Sequence, residues 1–152
     1  MDVNFRRYTE KARRVMFFAR YEAIQVGSPF VGTEHLLLGL LREDKTLANR
    51  LPRSRPAVES IRQQIAGHTT TRAKVTFAID DLPLSPECQR ALAYGAEEAG
   101  RLGHQHVGTE HLLLGLLREE QCFAAGILNQ HGLQLPALRE ELERARNRRE
   151  YP

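Results

Sequence analysis

Apolar side chains recur along this chain at intervals of three and four residues, the spacing that places them on one face of a helix. The clearest stripes are two groups of leucines: Leu36, Leu37, Leu40 and Leu41, then Leu112, Leu113, Leu116 and Leu117. Both stripes lie within the same thirteen residues, VGTEHLLLGLLRE, at Val31–Glu43 and Val107–Glu119. The pattern predicts a tandem duplication of one helical unit.

The two copies of the motif are 76 residues apart, from Val31 to Val107. The same offset holds upstream, where it aligns Glu22 with Glu98. Downstream the offset becomes 77, which pairs Arg62 with Arg139. Most other identities have diverged while the apolar spacing persists, as expected when packing is what both copies preserve.

Each repeat is predicted to form four helices. The first helices begin after the capping residues Thr9 and Ser85, and the second begin at Thr33 and Thr109, whose hydroxyls are expected to cap them. The third helices are predicted at about Thr46–Leu51 and Cys122–Gln130, and the fourth at about Val58–Ala66 and Pro136–Arg148.

Glycines mark two further features of the unit. Gly27 and Gly103 follow the first helices, where a left-handed residue ends a helix. Gly39 and Gly115 lie inside the second helices, where glycine costs about 0.5–1 kcal/mol relative to alanine. Because both copies carry this cost, we expect another helix to pass close by.

The repeats are predicted to occupy about residues 5–66 and 85–146 of a single domain covering 1–152, with a linker at about 67–84. Val75 to Ile79 alternate in a way that permits a short extended piece, although a surface linker is favoured. Each unit is too small to bury its apolar faces alone. We therefore expect an all-α fold in which two four-helix repeats pack as a pseudo-twofold eight-helix domain.

Composition narrows the class of protein. Hydrophobic residues make up 41%, charged residues 27%, and the net charge is +3. Neither a membrane-spanning run nor a secretory signal is present, so a cytoplasmic protein is expected. Aromatic residues are 7% and tryptophan is absent, which argues against nucleic-acid binding. Cys88 and Cys122 fall in apolar helical patterns and are expected to be buried and inert.

The segment TEKARRVMFFARYEA followed by GTEHLLLGLLRED closely resembles the N-terminal domain of Clp unfoldases, especially the ClpC type, over roughly Phe5–Arg146. The resemblance implies an α-helical, non-enzymatic module that docks protein substrates or adaptors for ATP-dependent proteolysis. An alternative is a structural accessory subunit that binds the Clp protease or unfoldase and modulates its assembly. The chain has no nucleotide-binding GxxxxGK[ST] loop and its central linker differs from the ClpC spacer, so a free-standing double repeat is expected.

The second-helix starts are the strongest candidates for a binding site. The candidate residues are Thr33, Glu34, Thr109 and Glu110. A helix N-terminus suits an anion, and a carboxylate accepts two hydrogen bonds from a guanidinium. The resemblance to ClpC implies a phosphoarginine ligand, with Glu34 and Glu110 holding its guanidinium. The alternative is capping alone, with His35 and His111 as buried, hydrogen-bonded structural residues.

The other clusters of polar residues give weaker indications of function. His104, His106, Glu110 and His111 include metal-ligand types, but their spacing matches no established helix-borne zinc motif, and no metal or cofactor is predicted. No catalytic motif appears, so the chain is not expected to be an enzyme.

Aromatic residues cluster in the first helix of repeat one. Phe17 and Tyr21 lie partly off the apolar stripe. They form a candidate partner-docking patch, while completion of the core between repeats is the alternative.

Overall fold

The computed structural model describes residues 5–45, 57–68 and 82–150, without the side chains of 57, 58 and 148–150. The described residues form a 3-10 turn at Phe5–Arg7 and seven helices: α1 (Glu10–Gln25), α2 (Thr33–Glu43), α3 (Ala57–His68), α4 (Pro86–Arg101), α5 (Thr109–Arg118), α6 (Phe123–Gln130) and α7 (Leu135–Glu150). The all-α prediction is confirmed. The predicted third helix of repeat one and the extended piece near Val75 lie outside the described residues.

The first helix of each repeat begins where its polar cap predicts. Thr9 and Ser85 have extended backbones, and their side-chain oxygens each accept a 3.1 Å hydrogen bond from the amide three residues on. Gly27 and Gly103 follow these helices with φ of 68° and 73°, a left-handed conformation that other residues rarely adopt. The predicted caps and the predicted left-handed glycines of both helices are therefore confirmed.

The paired helices α1 and α2 cross very closely, as do α4 and α5. A Cβ atom on Gly39 would lie 2.4 Å from the carbonyl oxygen of Val15, and one on Gly115 would lie 2.1 Å from that of Ala91. Both distances are far below van der Waals contact. The interior glycines are therefore required by helix–helix packing, which confirms the expectation drawn from their recurrence.

The segments that lead into the helices are exchanged between the repeats. Tyr8, just before α1, forms a parallel bridge with Val107, just before α5. Leu84, just before α4, forms the equivalent bridge with Val31, just before α2. Each repeat thus pairs its entry strand with the other repeat, an arrangement with pseudo-twofold symmetry.

One continuous apolar core joins the two repeats. Its largest fully buried apolar side chains are Leu36, Leu37, Leu40, Ile61, Leu92, Leu112, Leu114, Leu116, Leu128 and Leu138. Each such side chain stabilises the folded state by about 1.5–3 kcal/mol relative to exposure. None of the described helices combines the length and apolar character needed to cross a bilayer.

Both cysteines are buried and free, as predicted. Burial raises the pKa of the Cys88 thiol to about 12, so this thiol stays protonated at neutral pH. Cys122 has a structural role, because its Sγ accepts a 3.3 Å hydrogen bond from the amide of Ala125 at the start of α6.

Candidate functional site

The exchange of entry strands brings helix N-termini from different repeats together. Ser85, the cap of α4, donates its amide to the carbonyl of Val31 at 2.9 Å, which places it beside Gly32, the cap of α2. Thr9, the cap of α1, donates to Val107 at 3.0 Å, beside the α5 cap. First-turn amides lack intrahelical acceptors and carry partial positive charge. The N-termini of two helices, one from each repeat, therefore lie side by side at each of these two places.

The first pocket lies at the meeting of α2, α4 and α6 and has a volume of about 420 Å³. Its walls are Phe30, Gly32, Thr33, Glu34, His68, Ser85, Glu87, Gln121, Cys122 and Phe123. The imidazole of His68 stacks on Phe123 with ring centroids 3.8 Å apart, and its Nε2 lies 3.9 Å from Oε2 of Glu34. The first pocket is thus both acidic and aromatic.

The second pocket is the pseudo-twofold counterpart and has a volume of about 380 Å³. Its walls are Thr9, Gly103, His104, Gln105, His106, Gly108, Glu110 and His111. Its carboxylate, Glu110, is more exposed than Glu34. Phenylalanines line the first pocket together with His68, whereas the second pocket has three histidines and no phenylalanine, so the two pockets share a frame but differ in chemistry.

Each carboxylate folds back over the glycine that caps its own helix. A Cβ atom on Gly32 would lie 1.9 Å from Oε1 of Glu34, and one on Gly108 would lie 2.9 Å from both oxygens of Glu110. A larger residue at either glycine would displace the carboxylate. Of the four predicted site residues, Thr33 and Glu34 line the first pocket and Glu110 lines the second. Thr109 does not line the second pocket.

The prediction that Thr33 and Thr109 cap the second helices is wrong. Both are the first helical residues, and the caps are the glycines before them, which have no side chain to offer. Instead, Nδ1 of His35 accepts a 2.9 Å hydrogen bond from the Gly32 amide. His111 does the same for its glycine at 2.8 Å. The polar side chain at each of these helix starts is therefore an imidazole that binds the amide of the cap glycine, and not a threonine hydroxyl that binds first-turn amides.

These hydrogen bonds fix the tautomer of the buried histidines. Because Nδ1 of His111 accepts a hydrogen bond from the backbone amide of Gly108, the neutral ring carries its own proton on Nε2. That proton points to Nδ1 of His104 at 2.9 Å. In repeat one Ser28 stands at the position of His104, and Nε2 of His35 has no hydrogen-bond partner among the described residues. Burial lowers the pKa of both His35 and His111. The negative charges of Glu34 and Glu110 act in the opposite direction but do not outweigh burial.

The same tautomer bears on metal binding. His104, Glu110 and His111 bring one ligand atom each within 4.8 Å of one another. A metal-bound histidine normally donates its second ring N–H to an acceptor. In His111 the second nitrogen instead faces an N–H donor, so its metal-facing nitrogen carries the proton. The cluster is better suited to a hydrogen bond between imidazoles than to a metal ion.

A buried ion pair supports the second repeat and was not predicted. Glu98 is almost fully buried and accepts hydrogen bonds from Arg139 at 2.8 and 2.9 Å and from Arg118 at 3.1 Å. Burial would raise the pKa of Glu98, but the hydrogen bonds and charge of Arg139, with Arg101 and Arg118, hold it below its usual value. The available signal was the recurrence of both partners as Glu22 and Arg62, which are 3.3 Å apart.

The aromatic residues of α1 do not complete the core between repeats. Phe17 is 51% exposed and Tyr21 is 38% exposed. The alternative that placed them in the interior is therefore wrong, while their docking role stays a prediction.

The duplicated unit is also found in known proteins. The sequence matches the Clp repeat (R) N-terminal domain over residues 7–93 and again over residues 84–150. The chain belongs to this family. The fold agrees, because the N-terminal domain of the Clp-associated chaperone ClpD from Arabidopsis thaliana superposes with a TM-score of 0.68 at 24% identity, covering 90% of this chain and 92% of that one.

Two curated relatives place the Clp repeats in a larger context. The chain is 38% identical over 148 residues to the ClpA homolog, an ATP-dependent Clp protease ATP-binding subunit, of Guillardia theta. It is equally similar to the chloroplastic chaperone protein ClpC of Pisum sativum. These alignments cover 92% of this chain but 17% and 15% of the relatives. The chain therefore corresponds to a small part of such proteins.

Proposed function

We propose that this chain is a protein-docking module of the Clp system whose two pockets bind arginine side chains that carry a phosphoryl group. The observation that supports it is the placement of a carboxylate, Glu34 or Glu110, where two helix N-termini meet. A ligand that suits this arrangement has a cationic and an anionic group close together. Phosphoarginine has both on one side chain.

The guanidinium is assigned to the carboxylate. Two parallel N–H bonds to one carboxylate give both strength and geometric selectivity. In the first pocket, Glu34 lies beside Phe30, whose ring favours a planar cation, whereas one face of Phe123 is already covered by His68. Glu87 adds a second negative charge at the rim, so this pocket is suited to a strongly basic group.

The phosphoryl group is assigned to the helix ends. Its oxygens need donors or positive charge, because a carboxylate alone would repel them. At each pocket the N-termini of two helices lie side by side, and Ser85 or Thr9 is the cap of the helix contributed by the other repeat. In this proposal the partial positive charge of these helix ends is the partner of the phosphate, which the motif by itself does not reveal.

The test is peptide binding measured by fluorescence anisotropy. We expect a phosphoarginine peptide to bind the wild-type chain, and the Glu34→Gln/Glu110→Gln variant to bind at least about tenfold more weakly. The melting temperature should change little, since a first-turn charge contributes only about 0.3–1 kcal/mol. Equal affinity of the variant, or equal binding of the unphosphorylated peptide, would overturn the phosphoarginine assignment.

A second experiment addresses the docking role. Affinity purification of the chain from its native cell extract, followed by mass spectrometry, should recover varied client proteins or adaptors whose yield falls in the double glutamate variant. Recovery of Clp protease or unfoldase subunits in fixed stoichiometry, unchanged by the variant, would instead indicate an accessory subunit.

A further inference from the structure

The outward face of α1 carries an aromatic–arginine surface, formed by Phe17, Phe18 and Tyr21 together with Arg14 and Arg42. Phe17 and Tyr21 are among the large apolar side chains most exposed in the described residues. Phe18 packs edge-on against Phe17 with centroids 5.7 Å apart. Phe17 and Phe18 therefore form a partly exposed aromatic pair, and Arg42 lies between this pair and Tyr21.

The charges of this surface are arranged with arginines outside and carboxylates beneath. The side chain of Arg14 is 48% exposed, whereas Glu43, its partner at 2.6 Å, is 11% exposed. Arg42 is 41% exposed, whereas Glu22, at 3.9 Å, is 12% exposed. Of these four groups, the guanidiniums lie outside the carboxylates, while exposed Glu10, one helical turn before Arg14, adds a carboxylate at the end of the surface. The surface thus presents exposed guanidinium groups beside its aromatic rings.

The guanidinium of Arg42 already lies over the rings. Its Cζ is 4.4 Å from the centroid of Phe18 and 5.3 Å from that of Tyr21. Single-stranded nucleic acid binds largely by stacking bases on aromatic faces, and here Arg42 occupies one face of each of these two rings. What stays available is the ring of Phe17, the opposite faces and the edges of the other two rings, and guanidinium N–H groups, which together suit apolar side chains and carboxylates.

Repeat two offers the same framework without this surface. The offset of 76 aligns Arg14 with Arg90 and Arg42 with Arg118. The ion pair between the first helix and the glutamate of the second helix occurs in both repeats, as Arg14–Glu43 and Arg90–Glu119. The positions of Phe17 and Tyr21 differ between the copies: half-buried Ala93 replaces Phe17, and Glu97, 61% exposed, replaces Tyr21. Repeat two therefore adopts the same helical framework without a large aromatic side chain at either position.

We propose that the aromatic–arginine surface docks an acidic peptide segment of a partner protein, one in which carboxylates flank aromatic or aliphatic side chains. The carboxylates would pair with Arg14 and Arg42, and the apolar side chains would cover Phe17 and Tyr21. Burial of aromatic and arginine anchors is the usual source of affinity at such interfaces. This docking does not use Glu34 or Glu110, so it is independent of the phosphoarginine pockets.

The test uses a fluorescein-labelled probe peptide in which glutamates flank paired phenylalanines, and a control peptide in which lysines replace the glutamates. The matched variant is Phe17→Ala/Tyr21→Glu, which installs the residues that repeat two already carries at these positions. We expect the acidic probe to bind wild type, to lose affinity at raised salt, and to bind the variant at least about tenfold more weakly. The lysine control should not bind.

Several outcomes would overturn the proposal. They are absence of binding by the acidic probe, equal binding of the lysine control, and equal affinity of the matched variant. Tighter binding of a labelled oligothymidine to the same surface would assign it to nucleic acid instead. The Glu34→Gln/Glu110→Gln variant should retain the acidic probe, so a failure of the phosphoarginine pockets is distinguishable. An unchanged melting temperature of the matched variant serves as the folding control.

Discussion

Gly115→Ala is the substitution for which helix propensity and packing predict opposite signs. Propensity alone predicts a gain, because alanine in a helix interior is favoured over glycine by about 0.5–1 kcal/mol. Packing predicts a loss, because the added Cβ would lie 2.1 Å from the carbonyl oxygen of Ala91 and 2.8 Å from the amide nitrogen of Gly95. Both contacts are to backbone atoms, which no side-chain rotation can move away.

The magnitude follows from the displacement required. Ordinary van der Waals contact of a Cβ begins at about 3.4 Å, so α5 must move from α4 by roughly 1 Å or more. Overpacking of this kind costs typically about 1–3 kcal/mol, and the contact is to backbone, which places it at the upper end. After subtracting the propensity gain, we expect a net loss of about 2 kcal/mol, or about 4–8 °C in melting temperature.

The assay is thermal and urea denaturation beside matched controls. Gly126 lies within α6 and Gly100 within α4, and a Cβ on either would meet nothing within 4 Å. Alanine at these positions should raise stability by up to about 1 kcal/mol. Gly39→Ala should behave like Gly115→Ala, with the clash at 2.4 Å. A Gly115→Ala protein as stable as wild type would refute the packing argument.

Three further predictions rest on the polar groups. Glu98→Gln should lower the free energy of unfolding by about 2–3 kcal/mol, and Glu22→Gln by less than about 1 kcal/mol, because Glu98 is buried with closer partners; urea denaturation measures both. Because burial lowers the folded-state pKa of His35 and His111, the unfolded chain binds more protons than the folded chain in acid. The free energy of unfolding should therefore be highest above about pH 6.5 and should fall below that pH by at most about 2.7 kcal/mol per pH unit. Denaturation at a series of pH values measures this slope, and asparagine at both positions should flatten it. Gly32→Ala should displace the carboxylate that approaches to 1.9 Å and weaken binding of the phosphoarginine peptide in anisotropy, with a change in stability below about 1 kcal/mol.

Much of the fold was predictable because the chain states it twice. A glycine inside one helix is ambiguous, but Gly39 and Gly115 at equivalent positions indicate a close crossing, which the structure contains. Local chemistry, without knowledge of the rest of the chain, predicts the polar caps Thr9 and Ser85 and the left-handed Gly103 that follows α4. These features were predictable because their partner atoms lie within one helical turn and follow the usual capping rules.

Non-local geometry could not be predicted in this way. The bridges of Tyr8 with Val107 and of Leu84 with Val31 join residues that no periodicity connects. The histidine caps were missed because the usual capping rules name hydroxyl and carboxamide side chains, and a threonine stood nearby. The network around Glu98 was visible only as a repeated glutamate and a repeated arginine, without a reason to pair them.

The exchange of entry strands also explains why the pockets diverged at their rims. Each pocket is built from both repeats, since Ser85 contributes to the first and Thr9 to the second. A change in the shared frame would therefore disturb the packing of both copies. Rim residues such as Phe30, which aligns with His106, line one pocket each and can change independently. Divergence concentrated there leaves two pockets with one kind of backbone and different side-chain chemistry.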